Sequence, residues 1–174
     1  MIRRRPEGSA DTRPRDRKRQ RHDTGPRMMR VTRRYRFAAS HRLSSPRFSE
    51  QANRELYGKC NNPHGHGHDY VLEVTAVGPL DPASGQAVKT SALDRLVAEH
   101  VLADFDHKYV NLDLAEFREL VPTSENIIDV IERRLKRHWR EVFPGEWPQL
   151  QSVRLQETRR NRFESRSVLS SEKV

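Results

Sequence analysis

A single cysteine, Cys60, stands in a chain of 174 residues. That excludes an intramolecular disulfide framework, and a lone thiol beside several histidines suits a reducing cytosol. No run of about 18 apolar residues occurs, so nothing in the sequence reads as a membrane-spanning helix. The basic N-terminus has no apolar stretch behind it of the kind a secretory signal carries, and a cytoplasmic protein is the expectation. Apolar residues are scarce at 34%, while charged residues reach 33%. This is enough for one domain with a modest core, and oligomerisation is the expected way to bury the rest.

The net charge of +9 invites a nucleic-acid-binding reading, but the charge is unevenly placed. Met1–Arg27 holds ten Lys/Arg and four Asp/Glu, so +6 lies there and the remaining 147 residues carry +3. With almost no apolar side chains, that segment cannot offset its ordering entropy and is expected to be disordered. The expected organisation is a basic extension at 1–28, a folded domain at 29–168 and a tail at 169–174. Met28-Met29, just before the first strand-like run, is the expected start of translation. A basic arm that binds RNA is the rival reading, and it predicts salt-sensitive binding lost on removing the extension.

Val31–Ser40 alternates and is rich in β-formers, predicting a strand with His41 at its exit. Ser49–Tyr57 reads as a short helix. His68–Val77 reads as a strand with Tyr70, Leu72, Val74 and Ala76 on one face. Gly78–Gly85 is a turn cluster, and Gln86–Thr90 is expected to return as a short strand. Ser91 opens a helix with Asp94 in a capping-box relation; Leu93, Leu96, Val97, Val101, Leu102 and Phe105 form its apolar stripe. A second helix starts at Thr123, buries Ile127, Ile128, Ile131 and Leu135, and ends before Pro144. Gln151–Thr158 is the expected last strand. The pattern implies an α+β fold, an antiparallel sheet with helices on one side.

The chemistry concentrates after Cys60. His64, His66 and His68 alternate with Gly65 and Gly67. In an extended chain alternate residues point the same way, so neighbours in this set can share one metal ion. The glycines let the backbone approach closely. Imidazole nitrogens suit tetrahedral zinc. Two arrangements stay open from spacing alone. One is a closed structural site of Cys60 and the three histidines. The other has three histidine ligands and a free thiol, with His41 competing with His64 for the third place. Asp106-His107 can act as a proton-transfer pair, since a carboxylate orients and charges a neighbouring imidazole. Thr123-Ser124-Glu125 is explained fully by a helix N-terminus, and Glu157 by an edge charge.

Six segments, in order, nevertheless resemble one family. They are Phe37-Ala-Ala-Ser-His-Arg-Leu43, Tyr57-Gly-Lys-Cys-Asn-Asn-Pro-His-Gly-His-Gly-His-Asp-Tyr70, Leu80-Asp-Pro-Ala-Ser-Gly85, Asp106-His-Lys108, Pro122-Thr-Ser-Glu-Asn126 and Glu157-Thr158. Across about residues 31–165 the chain resembles the 6-pyruvoyltetrahydropterin synthases, a family that includes the bacterial 6-carboxytetrahydropterin synthases. The resemblance implies zinc on His41, His66 and His68. It sets His64 aside, because animal members carry asparagine there. It makes Cys60 the catalytic thiol, Asp106 with His107 the acid/base pair, and Glu157 the carboxylate that grips the amino-pyrimidine edge of the pterin. Thr123, Ser124 and Glu125 match a loop that also touches the pterin.

The implied architecture is the tunnelling fold, a four-stranded antiparallel sheet with two helices packed on one face. Members are usually homohexamers, dimers of trimers with active sites at subunit interfaces. The implied reaction is a lyase acting on 7,8-dihydroneopterin triphosphate, with Mg2+ as a further cation for the triphosphate. One branch eliminates triphosphate to give 6-pyruvoyltetrahydropterin, toward tetrahydrobiopterin. The other releases acetaldehyde and 6-carboxytetrahydropterin, toward queuosine. Five residues between Cys60 and His66, and Glu157-Thr158 with Asn161 nearby, resemble the pyruvoyl enzymes. Tyr109-Val110-Asn111 resembles the bacterial ones. The pyruvoyl reaction is the expected activity.

Overall fold

The computed structural model describes residues 25–166. The expected C-terminal tail, and all but the last few residues of the expected extension, lie outside them.

Strand β1 (Met28–His41) and strand β2 (His66–Pro79) form a long antiparallel pair whose register runs from Met28 opposite Pro79 to His41 opposite His66. Both are longer than the sequence reading, because each pairs along its whole length with the other. The connection between them carries α1 (Glu50–Tyr57), capped by Ser49, whose Oγ accepts the Ala52 N–H at 3.2 Å. A 3-10 turn, Gly58–Asn61, follows and holds Cys60. Side chains alternate as period two requires: Tyr70, Leu72, Val74 and Ala76 are buried on one face of β2.

Strand β4 (Gln149–Gln156) joins the other edge of β2, with Leu155 opposite Leu72 and Val153 opposite Val74. A bulge at Thr75/Ala76 skips one residue of β4, so that Leu150 rather than Gln151 pairs with Ala76 and stays in the core. The expected single last strand is in fact a hairpin. β4 stops at Gln156, residues 157–161 turn, and β5 (Arg162–Arg166) returns antiparallel. Arg162–Arg166 alternates charge with only Phe163 as an apolar anchor, so its sequence carries little strand signal. Strand β3 (Lys108–Tyr109) adds two residues parallel to β1. The sheet order is β3-β1-β2-β4-β5. Its four long strands are the expected antiparallel sheet.

The helices lie on one face. α2 (Thr90–Val97) runs on through a π-helical turn, Ala98–Leu102, into α3 (Ala103–Phe105). Leu93, Leu96, Val97, Val101 and Phe105 are fully buried, as their spacing requires. A short turn of helix, α4 (Val110–Asp113), follows β3. α5 (Ser124–Val142) buries Ile127, Ile128, Val130, Ile131, Leu135 and Trp139 against the sheet in the same core. The opposite sheet face is polar, with Arg154 paired to Glu164 at 3.1 Å and near Glu73 at 4.0 Å.

Two local expectations fail. Gln86–Thr90 is not a strand. Asp81 and Gly85 close the preceding turn, Val88 drops into the core at 3% exposure, and Lys89 already precedes α2. Burying Val88 and starting the helix leave no backbone to pair. Asp94 does not cap α2 either, and α2 has no side-chain N-cap. Its carboxylate instead takes a bidentate pair from Arg33 at 2.8 and 2.7 Å and the Tyr35 hydroxyl at 2.8 Å. That three-way contact holds Asp94 below the ordinary carboxylate range, chiefly through the Arg33 hydrogen bond.

Among the described residues no helix is long and apolar enough to cross a membrane.

Candidate active site

The β1–β2 register builds the centre of the site. His41 ends β1 directly opposite His66, and His68 lies two residues farther along β2 on the same face. Ligand atoms of the three rings lie within 4.8 Å of one another, and among the described residues this is the group of three that could hold a metal. Tetrahedral zinc–nitrogen bonds of about 2.0–2.1 Å set ligand nitrogens roughly 3.3 Å apart. His41 Nε2 and His66 Nε2 are 3.2 Å apart.

The tautomer of His41 is fixed by its surroundings. Its Nδ1–H donates to the Pro122 carbonyl at 2.7 Å, which leaves a lone pair on Nε2 facing His66. Burial pushes the His41 imidazole down to about 4, opposed by the Pro122 carbonyl and helped by the two other rings. His66 is lowered as well, first by burial. Neutral imidazoles with lone pairs converging are what a metal requires. His68 Nε2 is buried and has no hydrogen-bond partner, which is costly unless a cation takes the lone pair. The donor set therefore fits a divalent cation of zinc's preference.

Gly65 makes this close approach compatible with the chain. It sits at φ +71°, and a Cβ there would lie 2.8 Å from Tyr109 Cε2 and 3.0 Å from the His41 carbonyl oxygen. Gly67 is different: a Cβ would meet nothing closer than 3.7 Å. His64 is exposed, its backbone N–H bonded to Asn62 Oδ1 at 3.1 Å, and it stands outside the triad.

Glu157 lies in the β4–β5 turn, with Oε1 3.8 Å from both His41 Nε2 and His68 Nε2. Ser124, buried at the first residue of α5, donates its hydroxyl to that same oxygen at 2.8 Å. Thr123 is the N-cap of α5, accepting from the Asn126 N–H at 3.3 Å. Glu125 is exposed in the first turn of the helix. Cys60, half-buried, shares a cavity of about 690 Å³ with His66, His68 and Glu157.

Asp106 and His107 are placed elsewhere. His107 lines a second cavity, of about 610 Å³, beside Lys108, Tyr109 and Asp69; only His68 borders both. Asp106 Oδ1 is 3.1 Å from His107 Nδ1 and accepts the Ala38 N–H at 2.8 Å. His107 adopts φ +59°, an uncommon region for a residue with a side chain, held there by its N–H bond to the Ala38 carbonyl. The strain presents an imidazole that is 81% exposed.

Sequence reasoning missed the Pro122 carbonyl, the buried Tyr70 hydroxyl beneath the histidines, and Arg159 and Arg160 on the cavity wall. A backbone acceptor leaves no mark in sequence. In the sequence the two arginines read only as charge, because it is the exposed β4–β5 turn that places them beside this cavity.

Residues 30–167 match the family model described as 6-pyruvoyl tetrahydropterin synthase. The chain belongs to that family. It is 37% identical over 131 residues to the 6-pyruvoyl tetrahydrobiopterin synthase of Poecilia reticulata, covering 75% of this chain and 85% of that protein. The Homo sapiens enzyme of the same name is 41% identical over 107 residues, which is 62% of this chain and 74% of that one. The solved structure of the Caenorhabditis elegans 6-pyruvoyl tetrahydropterin synthase superposes with a TM-score of 0.73 at 33% identity, covering 82% of this chain and 98% of that one. As a member of the pterin synthase family, the chain carries the expected fold, and it has a histidine triad that could hold a metal.

Proposed function

We propose that the protein is a zinc-dependent 6-pyruvoyl tetrahydropterin synthase, a lyase that converts 7,8-dihydroneopterin triphosphate to 6-pyruvoyltetrahydropterin with elimination of triphosphate. The observation that carries this reading is a histidine triad two of whose members, His66 and His68, line one cavity with a thiol and a hydrogen-bonded carboxylate, in a chain of this family. His41, His66 and His68 hold the metal. When bound, zinc supplies Lewis acidity toward the hydroxyl oxygens of the substrate side chain. Glu157, oriented by Ser124, accepts paired N–H donors from the pterin ring and fixes its orientation. Thr123 and Glu125 flank that contact at the start of α5. Cys60 takes a carbon-bound proton as a thiolate. His107, oriented by Asp106, moves a proton on the opposite side of the substrate.

A homohexamer with sites at subunit interfaces is part of the proposal. It is supported by the uncovered sheet face and by Asp106–His107 bordering a cavity other than that of Cys60. The setting is the cytoplasm, with Mg2+ a further cation for the triphosphate, residues 29–168 as the catalytic domain, and residues 1–28 and 169–174 outside it.

The test is to incubate zinc-loaded protein with 7,8-dihydroneopterin triphosphate and identify the products. Inorganic triphosphate and 6-pyruvoyltetrahydropterin are expected. Acetaldehyde with 6-carboxytetrahydropterin as the main products would move the protein to the queuosine branch. Cys60→Ala keeps its zinc and its fold while turnover falls roughly 10²- to 10⁴-fold; loss of metal and fold on that substitution would instead mark a structural zinc site.

A further inference from the structure

The Cys60 cavity carries more positive charge than its own acid balances. Lys59, Arg159 and Arg160 line it, against the one carboxylate of Glu157. Glu157 is already engaged by the Ser124 hydroxyl and stands over the histidines. Among the described residues, none of the three cations has a side-chain hydrogen bond or an ion pair, whereas Arg33, Arg134 and Arg154 are all paired. Three like charges around one cavity repel one another, and an anion between them relieves that repulsion.

The backbone that carries the two arginines is also fixed. Glu157 N–H donates to the Asn161 carbonyl at 3.2 Å and closes the β4–β5 turn. Thr158 Oγ1 accepts from the N–H groups of Arg160 at 3.2 Å and Asn161 at 3.0 Å. One bonded turn thus carries a carboxylate at Glu157 and guanidinium groups two and three residues on. Guanidinium groups suit phosphate oxygens through paired N–H donors, and an ammonium adds a compact charge from the facing wall.

We propose that Lys59, Arg159 and Arg160 form the subsite for the polyphosphate chain of the substrate, in the same cavity as the Glu157 carboxylate that takes its ring. The inference rests on the pterin triphosphate reading above.

The test compares two ligands on the zinc-loaded wild type and an Arg159→Ala/Arg160→Ala double variant: 7,8-dihydroneopterin triphosphate and unphosphorylated 7,8-dihydroneopterin. Lys59 is left unchanged, because it adjoins Cys60. The dissociation constant for the triphosphate is expected to rise about 30- to 100-fold, near tenfold per lost charged contact, while that for dihydroneopterin stays within about twofold. Added salt weakens triphosphate binding to the wild type more than to the variant, and Arg159→Lys/Arg160→Lys recovers part of the loss. An unchanged triphosphate affinity overturns the assignment, and so does an equal loss for both ligands, which puts the arginines on the ring. A wild type that binds both ligands equally well overturns the subsite and leaves the pterin reading standing. A wild type that binds neither removes both.

Discussion

Replacing Gly65 by alanine places two costs on one residue. The backbone there has φ +71°, a left-handed conformation that costs an L-residue about 1–2 kcal/mol. The new methyl would also stand 2.8 Å from Tyr109 Cε2 and 3.0 Å from the His41 carbonyl oxygen. The ring edge can swing away, but the carbonyl belongs to the strand that presents His41 to the triad. Forcing an extra carbon into such a packed place typically costs about 1–3 kcal/mol. Together the loss is about 2–5 kcal/mol, which at about 2–4 °C per kcal/mol for a domain of this size lowers Tm by roughly 5–15 °C. Because the strain falls on His41, zinc affinity drops by roughly 10- to 100-fold, as when a ligand's support is disturbed. Two neighbouring substitutions separate these effects. Gly85→Ala has φ +68° but open space around it, so it carries the backbone cost alone and leaves zinc binding intact. Gly67→Ala meets nothing closer than 3.7 Å and is nearly neutral. Thermal melts, with zinc titrated against a competing chelator, read both quantities. If Gly65→Ala melts and binds zinc like Gly67→Ala, the reasoning is wrong.

Ser124→Ala removes the 2.8 Å hydrogen bond to Glu157 and frees the carboxylate that, in the proposed function, orients the pterin ring. KM is expected to rise roughly tenfold with zinc content unchanged, as steady-state assays and metal analysis would show; a loss of zinc would mean that Glu157 acts through the metal instead. Stability of the metal-free protein depends on pH through His41. Its imidazole is held down to about 4 in the fold against 6.5 when unfolded, so the unfolded chain binds the extra proton in between. The contribution is therefore fully present above about pH 6.5 and is lost as pH falls toward 4, by up to about 3 kcal/mol, with His66 acting in the same direction. Urea midpoints of the stripped protein at pH 7.5 and 4.5 measure it; a His41→Asn variant with the same pH slope would show that other groups are responsible.

The sequence by itself determined the family, the alternation of both long strands, the stripes of α2 and α5, and the residue types of the site. Period and cap chemistry are local, and the long Cys60–Tyr70 motif is specific enough to name its relatives. The strand expected at Gln86–Thr90 does not form, because burial of Val88 outweighs pairing, and a local alternation carries no information about where the core is. Asp94 looked like a cap because sequence shows only near neighbours, whereas Arg33 and Tyr35 reach it from a strand about 60 residues earlier. The β4–β5 hairpin carries little signal in the sequence because three of the five residues of β5 are charged. Within the histidine segment the alternatives were geometric: His41 joins His66 and His68 through strand register, and His64 stays outside because the chain is still turning there. Only the folded chain could fix the His41 tautomer through the Pro122 carbonyl and seat Glu157 beneath Ser124. Only it could set Asp106–His107 beside a different cavity. These contacts join residues far apart in sequence, through directional bonds that no local pattern encodes.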